Sequence, residues 1–242
     1  MKNKNTKYID ALNEAQRGPV LHKEGPLIVI AGAGSGKTRV LIYRIAHLMA
    51  SGVDSFSILA LTFTNKAARE MKARIGDLVG EGEAKNLWMG TFHSVFARIL
   101  RQEADKLGFP SNFTIYDTQD SDRLISAIIK ELGLEKDIYK YKQVRSRISA
   151  FKNSLITVKA YFNDGDLQEA DAMSRRPKMG MIYKEYVERC FKAGAMDFDD
   201  LLLRTNELLN RYPEVLAKYQ DRFRYILVDE YQDTNHSQYL IV

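Results

Sequence analysis

Apolar and polar positions follow two rhythms along this chain, and the change of rhythm divides it. Short, nearly continuous apolar runs fall at 27–31, 57–63, 87–91 and 224–228. Runs of that length, rich in Ile, Val, Leu and Thr, predict strands buried on both faces. After the first three come stretches near 38–50, 65–79 and 93–107 in which apolar residues recur every three to four positions, the period of an amphipathic helix. Strand and helix in alternation predict a parallel sheet covered by helices on both faces. From about 118 to 196 the period is helical throughout, with Leu124, Ile125, Ile128, Ile129 and Leu132 on one helix face. A strand returns only at Tyr225. The pattern therefore predicts an α/β domain over 1–108 and 197–242, interrupted by an all-helical insert over 109–196. Its weak boundaries are Gly108-Phe109-Pro110 and the stretch around Gly194. Residues 236–242 read as a helix that stops mid-pattern without a stop signal, so a fragment of a longer protein is expected.

Composition narrows the class without naming it. Hydrophobic residues at 45% and charged residues at 28% are ordinary for a folded water-soluble chain. A net charge of +5 permits a polyanionic partner but does not demand one. One cysteine, Cys190, excludes an internal disulfide framework and fits a reducing compartment. No apolar run approaches the roughly 18 residues a membrane span needs, and no apolar signal segment follows the basic Met1–Asn5. A cytoplasmic protein with no membrane partner is expected.

The first chemistry lies at Ala31-Gly32-Ala33-Gly34-Ser35-Gly36-Lys37-Thr38, directly after the apolar run Leu27–Ile30. Glycines allow positive φ and close backbone approach, so successive N–H groups can point at phosphate oxygens, and a following helix adds its positive end. In such a loop the lysine reaches the β- and γ-phosphates and the threonine hydroxyl ligates magnesium. Ala31 stands where the strict pattern has glycine, but Gly32, Gly34 and Gly36 keep the flexibility. The second is Asp229-Glu230-Tyr231-Gln232-Asp233 after the strand-like 225–228. A carboxylate at a strand tip can hold magnesium, and a neighbouring one can activate water. Asp229 and Glu230 are placed for these two tasks.

These motifs, with several others, resemble those of the UvrD/Rep/PcrA-type superfamily 1 DNA helicases. Asp229–Asn235 is similar to motif II of that family, and Leu12-Asn13-Glu14-Ala15-Gln16 to its Q motif. The phosphate loop matches with its initial alanine included. Thr62-Phe63-Thr64-Asn65-Lys66-Ala67-Ala68 resembles motif Ia, and Gly90-Thr91-Phe92-His93-Ser94 resembles motif Ib. Asp197-Phe198-Asp199-Asp200-Leu201 matches a segment found shortly before motif II. The blocks run in the family's order from residue 12 to 238.

The resemblance implies a P-loop NTPase, RecA-like fold and an ATP-dependent motor moving 3′ to 5′ on single-stranded DNA, in repair or replication. It implies ATP and Mg2+ as cofactors and single-stranded DNA and its junctions with duplex as partners. Gln16 would read the adenine edge, Arg39 would pack on the base, and residues 31–38 would hold the phosphates. Thr38 and Asp229 would hold the metal, Lys37 and Glu230 would serve catalysis, and Gln232 would report the γ-phosphate. Phe63, Thr64, Asn65, Lys66, Thr91, His93 and Ser94 would meet DNA. The later motifs of a second RecA-like domain, which supply arginines to the γ-phosphate, are absent from the 242 residues. The piece alone is therefore expected to bind ATP weakly, hydrolyse it poorly and not unwind DNA. A P-loop phosphotransferase and a non-catalytic nucleotide- or DNA-binding module stay open as alternatives.

Three further segments have plainer readings. Thr64-Asn65-Lys66 taken alone is a helix cap, and Asp197, Asp199 and Asp200 before Leu201-Leu202-Leu203 also read as capping. The basic and aromatic run Tyr139–Arg147 with Phe151-Lys152 reads either as a nucleic-acid contact or as a solvated helix face. Asp171–Lys178 reads as an exposed loop.

Overall fold

In the computed structural model, which describes residues 7–242, the chain begins with helices α1 (Lys7–Asp10), α2 (Glu14–Leu21) and α3 (Lys37–Ala50). Strand β1 (Ile58–Thr62), helices α4 (Asn65–Val79) and α5 (Glu81–Asn86), strand β2 (Trp88–Thr91) and helix α6 (Phe92–Glu103) follow. Next come β3 (Thr114–Tyr116), α7 (Thr118–Glu131), α8 (Tyr141–Asn153), α9 (Val158–Asn163), α10 (Gly165–Met173) and α11 (Met179–Lys192). The chain ends with β4 (Ala195–Asp197), α12 (Phe198–Arg211), α13 (Pro213–Arg222), β5 (Tyr225–Val228) and α14 (His236–Ile241). It forms two compact units: residues up to Val95 with Glu214–Asp233, and Phe96–Pro213 with Thr234–Val242. No helix among the described residues is long and apolar enough to cross a membrane.

The first unit is built on a parallel sheet in the order β2-β1-β5. All five residues of β1 are buried, as its unbroken apolar run requires of a central strand. Ile42, Ile45 and Leu48 of α3 and Met71 and Ile75 of α4 share one core with Ile58, Ala60 and Leu227. The three-residue steps in α3 and the four-residue step in α4 are the helical period that the sequence displays.

The expected strand at 27–31 is absent. The segment belongs to neither sheet, and its side chains stand in solvent, Ile28 74% and Ile30 93% exposed. An apolar run becomes a strand only where a sheet edge is open to it and its side chains find cover. Both edges of β1 are already taken by β2 and β5. Pairing with the outer edge of β5 would leave the run's own far edge unpaired, and Ile226 beside it is itself 42% exposed.

In the second unit every regular element between 118 and 194 is helical, as the period predicts. A two-stranded parallel ladder, Thr114–Tyr116 on Ala195–Asp197, brackets that stretch. Three-residue strands are too short for a period of two to register in sequence. The helices close on Ile125, Ile128, Ile148, Phe151, Ile182 and Tyr186.

Polar groups are buried here too. Asp197 caps α12, accepting from the Asp200 N–H at 2.8 Å while the Asp200 carboxylate accepts from the Asp197 N–H at 3.2 Å. This is the capping expected of Asp197 and Asp200, whereas Asp199 accepts from Asn153 Nδ2 at 2.8 Å. Capping is only part of it, because Lys152 is fully buried with its ammonium 2.7 Å from Asp197 Oδ2 and 2.8 Å from Asp200 Oδ2. Lys152 therefore does not belong to a solvated or DNA-facing stripe. Arg145 pairs with Asp122 at 2.7 Å, and Arg147 pairs with Asp171 at 3.0 Å while lying over the Phe151 ring. Asp171 is not in an exposed loop. It sits in α10, 2% exposed, and also accepts from the Tyr161 hydroxyl at 3.0 Å. Its acidic partner role is invisible in sequence because Arg147 and Tyr161 lie 24 and 10 positions away.

Candidate nucleotide site

The loop before α3 turns on two glycines in the left-handed region, Gly34 at φ 76° and Gly36 at φ 89°. Gly36 is the N-cap of α3, so the helix starts with Lys37 and its first N–H groups face the loop. A Cβ at Gly36 would lie 2.9 Å from Gln16 Nε2, whereas at Gly32 or Gly34 it would meet nothing within 4 Å. The glycine at 36 thus makes room for a protein side chain, and those at 32 and 34 leave the loop face open. The Lys37 ammonium reaches back across the loop and donates to the carbonyls of Ala31 at 2.8 Å and Gly32 at 3.2 Å. Ser35 Oγ also donates to Gly32 O, at 2.7 Å.

Gln16 is held from both ends of its amide. Asn13 caps α2 through a reciprocal box in which its side chain accepts from the Gln16 N–H and Gln16 Oε1 accepts from the Asn13 N–H. The other end, Nε2, donates to Ser35 O at 3.0 Å. The Q-motif resemblance therefore has a local structural content: it fastens α2 to the glycine-rich loop. Arg39, one turn into α3, donates to Ala11 O at 3.0 Å and lies over the Tyr43 ring.

Opposite the loop, β5 delivers the acidic pair. The Asp229 N–H continues the ladder by donating to Leu61 O at 2.9 Å, which leaves the carboxylate at the strand tip, 9% exposed. Glu230 adopts φ 51°, unusual for a residue with a side chain, and Gln232 Nε2 donates to Glu230 Oε2 at 2.5 Å. A cavity of about 470 Å³ is lined by Thr38, Asp229 and Glu230 together with Thr62, Phe63 and Thr64. Burial, then the Glu230 charge, push the Asp229 carboxyl above its ordinary value, against the pull of the Glu230 N–H and of Lys37. A carboxylate so placed gains from a cation. The donors are hard oxygens, the Thr38 hydroxyl and the Asp229 carboxylate, and among the described residues no cluster of three His, Cys, Asp or Glu side chains could hold a metal. Two protein oxygens suit Mg2+, which keeps several waters and shares phosphate oxygens.

The structure brings Phe63 and Thr64 to the same cavity, with Asp233 of the acidic motif and two charged residues that sequence reasoning missed, Glu70 and Arg74. Glu70 and Arg74 follow Lys66 at four-residue steps on α4, a signal hidden among many other charges there. Thr64 is the N-cap of α4, its hydroxyl accepting from the Ala67 N–H at 3.1 Å. Asn65 is exposed, and Lys66 is exposed beside Glu70 at 3.9 Å. Thr91 and Ser94 satisfy one another at the start of α6, and His93 is half-buried. The Phe63 ring rests 5.6 Å from that of Phe92.

The sequence profile of the UvrD/REP helicase N-terminal domain matches residues 12–242. The chain belongs to this family. It is 47% identical over 236 residues to the ATP-dependent DNA helicase UvrD1 of Mycobacterium tuberculosis, covering 97% of this chain and 30% of that protein. It is 45% identical to the ATP-dependent DNA helicase PcrA of Staphylococcus epidermidis and 43% identical to that of Bacillus subtilis, over 96% and 97% of this chain and 31% of each relative. The chain thus spans less than a third of the length of these UvrD/REP relatives. The α/β architecture with its parallel sheet is the one expected of the family's N-terminal domain.

Proposed function

We propose that this chain is the ATP-binding portion of a DNA helicase that moves 3′ to 5′ along single strands in repair or replication. The observation that carries the reading is the shared cavity. Thr38, which opens α3 beside Lys37, and the strand-tip pair Asp229 and Glu230 line one wall-to-wall space. By chain order, residues 1–108 and 197–242 would form the RecA-like domain and 109–196 its insert, although 96–108, 197–213 and 234–242 pack into one compact unit with the insert; the domain would act with a second RecA-like domain of a longer protein.

The residues divide the work by their chemistry. Backbone N–H groups of 32–38 and the Lys37 ammonium hold the phosphates and offset charge as it develops on the γ-phosphoryl group. Magnesium, held by Thr38 and Asp229, supplies charge neutralisation of the phosphates when bound. Glu230 accepts a hydrogen bond from the attacking water and orients it. Gln232, which already holds Glu230, is poised to exchange that partner for the γ-phosphate and so to register its presence. Gln16 and Arg39 address the base, and residues 31 to 36 shape the loop. Phe63, Thr64, Asn65 and Lys66, with Thr91, His93 and Ser94, contact the DNA strand through phosphates and base faces. Phe63 and Thr64 share the cavity with the carboxylates, which supports a direct link between nucleotide and strand.

An arginine supplied from outside such a site is worth roughly 10³ to 10⁵ in turnover. The 242-residue chain is therefore expected to bind ATP weakly with Mg2+, hydrolyse it slowly and leave duplex DNA unopened. Titration of the chain with a fluorescent ATP analogue, followed by phosphate-release assays with and without single-stranded DNA, tests this. Lys37→Ala should abolish binding, and Glu230→Gln should keep binding but lose turnover. Vigorous DNA-stimulated hydrolysis by the chain alone would overturn the proposed division of the active site.

A further inference from the structure

The Arg39 guanidinium is fixed on one side and open on the other. Its NH2 group donates to Ala11 O at 3.0 Å, and its central carbon lies 5.2 Å from the centroid of the Tyr43 ring, one turn further along α3. Tyr43 is itself held. The Tyr8 ring meets it edge-on at 5.5 Å with 68° between the planes, and the small core of Leu12, Val20 and Val40 packs against it. Tyr8 is buried, and its hydroxyl lies 3.5 Å from His47 Nδ1 on the same helix. The order Tyr8, Tyr43, Arg39 is therefore a stack that starts in the core and ends at an exposed guanidinium.

An exposed arginine ordinarily has many rotamers, and binding a flat ligand would have to freeze them. Here one hydrogen bond and one aromatic face have already done so, and such preorganisation strengthens binding without adding a contact. On this basis we infer that Tyr43 is a positioning residue for nucleobase recognition: it holds the Arg39 plane so that the open face receives a purine ring. The inference rests on the reading of the loop as a nucleoside-triphosphate site and goes further by assigning base selectivity to a residue outside every motif. Tyr43 does not touch the nucleotide and acts through Arg39 alone.

The test compares two probes, ATP and inorganic tripolyphosphate, which carries the phosphates without a base. Competition titrations with Mg2+ on the wild-type chain, Tyr43→Leu and Tyr43→Phe give the ratio of the two affinities. A cation–aromatic contact at an exposed site corresponds to about a two- to fivefold effect. Tyr43→Leu should lower the ATP-to-tripolyphosphate ratio by about that factor, with tripolyphosphate binding unchanged, and Tyr43→Phe should restore the ratio. Tyr8→Leu, which removes the supporting ring and leaves Tyr43 in place, should move the ratio in the same direction if Tyr43→Leu proves too unstable to titrate. Equal weakening of both probes would mark Tyr43 as merely structural and overturn the inference, as would an unchanged ratio. A wild-type chain that binds neither probe would overturn the nucleotide reading itself, and this inference with it.

Discussion

Replacing Lys152 by methionine removes a buried charge while keeping most of the side-chain volume. In the native fold the ammonium bridges Asp197 Oδ2 and Asp200 Oδ2, and the Tyr186 hydroxyl lies 2.8 Å from the same Asp197 oxygen. Burial alone would lower the lysine pKa, but the two carboxylates outweigh it and hold the ammonium charged well above its usual range. Burial would likewise raise Asp197, yet the Lys152 charge, the hydrogen bonds from Lys152 and from the Asp200 N–H, and the Tyr186 hydroxyl together hold it low. Asp200 is pushed up by burial and by the Asp197 charge. Lys152→Met leaves Asp197 without a cation and Asp200 with only Arg204, 4.0 Å from its other oxygen, in a buried site. Breaking a buried ion pair by removing one partner costs about 3–5 kcal/mol. With a urea slope of about 3 kcal/mol per M, the unfolding midpoint at pH 7 should fall by about 1–2 M.

The pH dependence separates this account from a simple packing defect. In the wild type, Asp197 has a depressed folded pKa, so its contribution is present above the unfolded value and is lost as pH falls through the folded one. In the variant a carboxyl takes up its proton more readily folded than unfolded, so the variant gains stability as pH falls. The deficit should therefore shrink between pH 7 and pH 5, read as urea midpoints by far-UV circular dichroism. A loss under about 1 kcal/mol at pH 7, or an equal deficit at both pH values, would refute the reasoning.

Three other substitutions test particular positions. Gly36→Ala places a side chain at φ 89° and 2.9 Å from Gln16 Nε2; a stability loss of about 1–2 kcal/mol in thermal melts is expected, together with loss of nucleotide binding in fluorescence titration. Glu230→Gly removes the strain of a side chain at φ 51°, so it should melt up to about 4 °C higher while phosphate release disappears. Tyr161→Phe takes a hydroxyl donor from the buried Asp171 but leaves Arg147 in place, and urea unfolding should record a loss of about 1–3 kcal/mol.

What the sequence discloses about this protein depends on the range of the interaction. Strands β1, β2 and β5 and helices α3 and α4 are legible because their apolar residues repeat within a few positions, and Asp197 as a cap is legible because its partner is three residues away. The glycine-rich loop is legible for the same reason: left-handed glycines at 34 and 36 and the helix start at Lys37 are local demands of the backbone. Lys152 reads as one more surface charge because the carboxylates that bury it lie 45 and 48 positions on. Leu27–Ile30 misleads in the opposite sense. Its composition is that of a central strand, but composition states only what a strand would need, and a ladder also needs an edge, which no local pattern can report. The same limit applies within the candidate site. Asp229 and Glu230 announce themselves as a pair after an apolar run, whereas Tyr43 is ordinary in sequence and acquires a role only because Arg39 lies on one side of it and Tyr8 on the other. Motifs therefore mark the candidate ligand-facing groups, and the side chains that fix those groups in place are found only once the fold has brought them together.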